Sequence, residues 1–112
     1  MLDVTTHKTG EAMVVSIKGD VDLYSSPQLR KTVIALTGKK TPAILINLSD
    51  VGYMDSSGVA TLVEGLQQAG KYKGKFKLFG LTSTVKEVFE LSRLDKVFDI
   101  YSDEAAAMAS VA

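Results

Sequence analysis

Cysteine is absent from the 112 residues, so neither a disulfide frame nor a thiolate nucleophile or metal ligand is available. Net charge is absent as well: 13 Lys and Arg balance 13 Asp and Glu, whereas dedicated binders of nucleic acid or anionic membrane recruit through an excess of basic charge. No apolar run approaches the roughly 20 residues that cross a bilayer, and the opening MLDVTTHKTG carries charges where a secretory segment would be apolar. The expectation is a cytoplasmic protein without membrane insertion, direct nucleic-acid contact, metal or cofactor. Histidine occurs once, at His7, which leaves little for general-base chemistry. What is present is 46% hydrophobic residues, enough for one core, so residues 1–112 are expected to form a single domain.

Short apolar runs alternate with helical patterns, with no linker, repeat or low-complexity tract. A first strand is expected at 3–7. In AMVVSIKG, Met13, Val15 and Ile17 alternate with Val14, Ser16 and Lys18, the period of a strand with one better-buried face. AILINL, 43–48, is apolar at nearly every position and reads as a central strand covered on both faces. KFKLFG, 75–80, sets Phe76 and Leu78 against Lys75 and Lys77, and VFDIY, 97–101, is the weakest strand. Between them, Ser26 and Pro27 read as cap and first position of a helix with the stripe Leu29, Val33, Leu36 and a stop at Gly38. Thr84 and Glu87 match a capping box, and Asp103 can cap a last short helix. The order β-β-α-β-α-β-α-β-α predicts an α/β fold, a mostly parallel or mixed sheet of four to five strands with about four helices packed on it.

The stretch YMDSSGVATLVEGL, 53–66, follows the most buried strand and enters a helix expected from about Ser56 to Ala69, closed by Gly70. The loop lies at the carboxyl end of the sheet, where open α/β folds place their working residues. Asp55 suits the cap, because a carboxylate accepts orphan amides and opposes the helix dipole. At about 100° per residue, Ser56 lies about 70° from the apolar centre of Val59, Leu62, Val63 and Leu66, and Ser57 about 170° away. Ser57 is therefore expected to face solvent beside Thr61, Glu64 and Gln68. Capping accounts for Asp55 and Ser56 but leaves Ser57 without a role.

Three chemical motifs compete. MDSSG imitates a nucleophile elbow with Met54 in place of the first glycine and Ser56 as nucleophile, but its base would have to be His7. GLQQAGK resembles a phosphate loop, yet Tyr72 stands where Ser or Thr should meet magnesium and the stretch follows a helix. KYKGKFK, 71–77, interleaves lysines with Tyr72 and Phe76 as single-strand binders do, and strand alternation with lysines guarding a sheet edge explains it more simply.

GDVD after a strand, Pro27 opening a helix, LINLSDVGYMDSSG, and LSRLDKVFDIY near the end together resemble the STAS-domain anti-sigma factor antagonists, over nearly the whole chain. The resemblance implies a protein that is not an enzyme and switches partners. Its unmodified form binds an anti-sigma factor that is also a serine kinase and releases the sigma factor. Phosphorylation of the second serine of DSSG, here Ser57, ends that binding, and a serine phosphatase resets it. The loop after the second strand, Asp20 and Asp22 with Tyr24 nearby, also maps to the kinase contact. The expected binding face joins it to Tyr53, Met54, Asp55, Ser56 and Gly58 and to Thr61 and Glu64 on the following helix. Val59 and Ala60 stand where many antagonists have Leu-Gly, and Asn47 where many STAS domains have Asp; neither change removes the acceptor. STAS domains also serve transport systems, including lipid ABC transporters, as constitutively docked modules that can sense a nucleotide or lipid. Phosphate on Ser57 after incubation with a kinase separates the two readings.

Overall fold

A computed structural model describes residues 2–112. Five strands form one sheet in the order β1-β2-β3-β4-β5: Asp3–Thr9, Ala12–Lys18, Ala43–Asp50, Lys75–Phe79 and Asp99–Tyr101. β1 and β2 form an antiparallel hairpin, and the other three pairings are parallel, each through a helical crossover. The helices are α1 (Ser26–Gly38), α2 (Ser56–Lys71), α3 (Ser83–Leu91) and α4 (Glu104–Val111), with a 3-10 turn at Leu94–Lys96 before β5. The expected element order and sheet class are both found.

β3 is central because it is apolar on both sides. Ile44, Ile46 and Leu48 enter the larger core with Leu29 and Val33 of α1, Leu62 of α2 and Val85 and Phe89 of α3. Leu45 and Ala43 face the other way, into a smaller core with Ala12, Val14, Phe79 and Ala107 of α4. β2 is likewise buried on both sides, at Val14 and Val15, rather than on the one face its alternation suggested. The cause is α4, whose eight alanine-rich residues cover the second face.

The glycines expected to stop α1 and α2 do not supply the left-handed closure. α1 ends at Gly38 and α2 runs past Gly70 to Lys71, but in each case the left-handed position falls on a lysine beyond, Lys40 at φ 57° and Lys73 at φ 62°. The amide of Thr41 then donates to the Leu36 carbonyl at 3.1 Å and that of Gly74 to Ala69 at 2.8 Å, the six-to-one closure of a Schellman motif. Tyr72 helps hold this end: its hydroxyl donates to the Thr41 carbonyl at 2.8 Å, and burial pushes its phenol pKa up. Two caps also move. α1 is preceded by Ser25, which puts Ser26 and Pro27 at its first two positions. α3 is capped by Thr82 instead of Thr84: its Oγ1 accepts from the Val85 amide at 3.4 Å while donating to the Val51 carbonyl at 2.9 Å. Asp103 caps α4 as expected, accepting from the Ala106 amide.

β4 is an interior strand, so its lysines guard no edge; Lys77 instead pairs with Asp99 on β5. Phe76 is buried and Tyr72 half-buried, which removes the aromatic faces on which a nucleic-acid reading of KYKGKFK depends. Among the described residues no helix is long and apolar enough to cross a membrane.

Candidate partner-docking site

Two loops at the carboxyl end of the sheet are tied into one surface. The loop after β2 and the loop after β3 share a parallel bridge between Val21 and Met54. The Val21 amide donates to the Tyr53 carbonyl at 2.9 Å, and the Asp55 amide to the Val21 carbonyl at 3.1 Å. Both bridging side chains are buried. α2 starts directly above them, and the sequence makes room with Gly58: a Cβ there would stand 2.7 Å from both Met54 Cγ and Val21 Cγ1.

The first loop is built by Asp22 and Ser25. Asp22 Oδ1 accepts from the amides of Tyr24 at 2.9 Å and Ser25 at 3.0 Å. Ser25 Oγ accepts from the Asp22 amide at 2.9 Å and donates to the Asp20 carbonyl at 2.8 Å. This folds residues 20–25 into a closed turn that presses Leu23 and Tyr24 outward, 66% and 91% exposed. The Ser25 amide, followed by desolvation acting against it and then the Tyr24 amide, holds the Asp22 carboxyl below its ordinary 3.8. A depressed folded-state pKa adds stability that is present above 3.8 and lost as pH falls through the folded value. Asp22→Asn should therefore be less stable than the native protein at pH 7. Urea titrations of both should converge as the pH drops below the carboxylate range, and a gap that persists undiminished in acid would refute the assignment.

The second loop presents Tyr53, 48% exposed, and the start of α2. Asp55 is the cap foreseen for it: Oδ1 accepts from the amides of Ser57 at 2.9 Å and Gly58 at 3.4 Å. Asp55→Ala should cost about 0.5–2 kcal/mol of folding stability, read by denaturant unfolding, because two amides lose their acceptor. Ser56 is exposed and Ser57 half-buried, and among the described residues neither hydroxyl is engaged in a hydrogen bond within the chain. The order of exposure is the reverse of that expected from the apolar stripe alone.

The reason is α1, which packs along one side of α2. Gly65 of α2 lies so close to Val33 of α1 and Phe76 of β4 that a Cβ would stand 2.7 Å from each. The buried face consequently turns toward Thr61, which is buried and donates from Oγ1 to the Ser57 carbonyl at 3.0 Å. Glu64, half-buried, is held by a fork from α1: Arg30 Nε and Nη2 donate to its two carboxylate oxygens at 2.7 and 2.8 Å. This pairing lowers the Glu64 pKa and raises that of Arg30. Of the residues expected at the binding face, Asp20, Tyr24, Tyr53 and Ser56 are exposed, and Asp22, Asp55, Ser57 and Glu64 are half-buried. The side chains of Met54 and Thr61 are buried, as is Gly58, so these three lie beneath the surface instead of on it. Leu23 is an exposed apolar side chain on the first of these loops that sequence reading missed, because it stands outside the helical stripe that begins at Leu29. His7 lies across the sheet on β1, its Nε2 3.7 Å from Glu104 Oε2 of α4, so the elbow imitation at Ser56 has no base beside it.

The family model of the STAS domain matches residues 3–107. The chain belongs to the STAS family. Among relatives of this STAS domain, an anti-sigma-B factor antagonist of Bacillus subtilis (strain 168) is 30% identical over 99 residues, 88% of this chain and 90% of its own. A crystal structure of an anti-sigma factor antagonist from Mycobacterium paratuberculosis matches it with TM-score 0.92 and 26% identity, over 99% of this chain and 94% of that one. The same fold recurs in SpoIIAA from Bacillus, solved unphosphorylated (TM-score 0.84, 23% identity, 97% of this chain and 96% of that one) and phosphorylated (0.77, 22%, 98% and 100%). The STAS domain is thus similar, over most of its length, to anti-sigma factor antagonists.

Proposed function

We propose that this chain, acting as a single cytoplasmic domain without catalysis of its own, is a phosphorylation-gated antagonist of an anti-sigma factor. Unmodified, it docks on an anti-sigma factor that is also a serine kinase, and the sigma factor is freed; phosphate on Ser57 ends the docking, and a serine phosphatase restores it. The observation that carries this reading is the Ser57 hydroxyl. At the second position of α2 it bonds to none of the described residues, and it stands beside a surface with three exposed apolar side chains, Leu23, Tyr24 and Tyr53. Relatives named as anti-sigma-B factor antagonists and a like fold solved in both phosphorylation states support it.

The switch follows from charge. A phosphoryl group adds about −1.5 to −2 charge. Within the domain it joins the Asp55 carboxylate at a helix N-terminus, whose dipole favours an anion by about 0.3–2 kcal/mol, so repulsion and attraction largely offset each other. At the interface nothing offsets it. A kinase that modifies Ser57 must bring a general base to the hydroxyl, and a carboxylate base would then face the phosphate. The experiment is incubation with the cognate kinase and ATP, followed by mass spectrometry: one phosphate per chain on Ser57, and none on Ser57→Ala, is expected. Stoichiometric phosphate elsewhere, or none on the native chain, contradicts the reading.

A further inference from the structure

The smaller core is open at one end. On the α4 side of the sheet Val14 and Leu45 fill the space beneath α4 with Phe79 and Ala107, but the first residues of β2 and β3, paired side by side, are the alanines Ala12 and Ala43. Their short side chains stop where the core meets solvent. A hollow of about 490 Å³ remains there, bordered by the β1–β2 turn, Pro42 and the end of α4 at Met108 and Val111. Met108 and Val111 are half-buried against the smaller core, so its aliphatic surface continues into the hollow. The volume falls within the roughly 300–1,000 Å³ of small-molecule sites. Backbone bonds fix the border: the Lys75 amide donates to the Pro42 carbonyl at 2.8 Å, and the Gly74 amide to the Ala69 carbonyl at 2.8 Å. The hollow is therefore formed in advance and asks little ordering of the chain when a ligand enters. It lies at the amino ends of the parallel strands, whereas the Ser57 surface lies at their carboxyl ends.

Charge and lining together select the occupant. Lys73 and Lys75 stand on the border with one acidic side chain, Glu11. A smaller hollow of about 300 Å³ shares Glu11, Ala12 and Pro42 with the first and adds Lys8 and Lys39. Across the two, four ammonium groups meet one side-chain carboxylate, and among the described residues none of the five is in a salt bridge. That excess favours an anion and disfavours a cation. Among the described residues no aromatic ring lines either hollow, so a nucleobase or an aromatic acid would find no face to stack on. The walls offer aliphatic contact instead. We propose that the larger hollow binds an aliphatic monocarboxylate of medium chain length, its chain against Ala12, Ala43, Met108 and Val111 and its carboxylate beside Lys73 and Lys75. The chain would complete the smaller core, and the charged head would stay at the surface.

Decanoate is the probe, titrated into the full chain by calorimetry and followed through amide chemical shifts in NMR. A Kd on the order of 100 μM is expected for a ligand of this size, with the largest shifts at Glu11, Ala43 and Val111. Octanoate, shorter by two methylenes, should bind about tenfold more weakly, because each buried methylene contributes roughly fourfold. Acetate keeps only the head and decylammonium only the chain; neither should bind measurably. Lys73→Asn, a residue suited to the left-handed φ at that position, combined with Lys75→Glu, should raise the decanoate Kd at least about tenfold. Met108→Glu should do the same by setting a carboxylate into the wall. Circular dichroism of both variants separates lost binding from lost folding, and the ligand series on the native chain stands independently of them. A native chain that binds no decanoate up to about 1 mM, decylammonium that binds as tightly as decanoate, or decanoate affinity unchanged in both folded variants overturns the inference.

Discussion

Ser57→Asp should bind the cognate anti-sigma factor about a thousandfold more weakly than the native chain, while Ser57→Ala retains native affinity and loses the ability to be switched off. The magnitude comes from one like-charge contact: a unit charge about 4 Å from another costs on the order of 4 kcal/mol at an effective dielectric of 20, near three decades in Kd. Aspartate carries a single charge and sits closer to the backbone than a phosphoryl group, so it underestimates the modified protein rather than exaggerating it. Neither variant disturbs an existing bond of the Ser57 hydroxyl, because among the described residues that hydroxyl makes none; its amide remains bonded to Asp55. Isothermal titration against the purified partner reads both effects. A Ser57→Asp chain that binds as tightly as the native one would remove the electrostatic mechanism.

Met54→Ala should cost about 2–5 kcal/mol of folding stability, whereas Tyr53→Ala, one residue away, should cost little stability and weaken partner binding instead. The difference is geometric. Met54 is buried in the larger core and forms the bridge with Val21 on which both loops rest, with Gly58 packed directly over it. Removing its side chain leaves a cavity under both loops. Tyr53 is half in solvent, and among the described residues its hydroxyl bonds to nothing within the chain. Thermal unfolding of the two variants side by side should show a fall of many degrees for Met54→Ala and little for Tyr53→Ala. Equal losses would mean that the two residues do not divide into support and contact as the burial pattern requires.

That division marks the limit of what the sequence reveals. AILINL, apolar at every position but Asn47, reads as a central strand, and the alternation around it indicates the element order, the sheet class and the place of DSSG at a strand-to-helix junction. Asp55 was legible as a cap because its carboxylate has one obvious use there. The orientation of α2 was not, because a hydrophobic stripe records contact with the sheet while Thr61 and Gly65 record the contact with α1. Small and hydroxylic residues carry no hydrophobic signal. Hence Thr61 looked exposed, Ser57 looked fully outward, and Glu64 looked free when Arg30 of α1 already holds it. Met54 looked like a contact because its pairing with Val21 joins loops about thirty residues apart, beyond the reach of local pattern. The left-handed closures have a local cause: Lys40 and Lys73 take the conformation that glycine would adopt more readily, two residues past Gly38, where α1 ends, and three past Gly70, which lies inside α2. Leu23 was overlooked because a single leucine in a turn belongs to no periodicity; only the closed turn made by Asp22 and Ser25 shows that it points outward.

The most direct test of the central claim compares the unmodified chain with chain carrying phosphate on Ser57, in two measurements on the same samples: circular dichroism melting and titration against the anti-sigma factor. The expected result is the same native spectrum, a midpoint shifted by no more than a few degrees, and affinity lower by about three orders of magnitude. Equal affinity of the two forms, or a phosphorylated chain that has lost its fold, would contradict it.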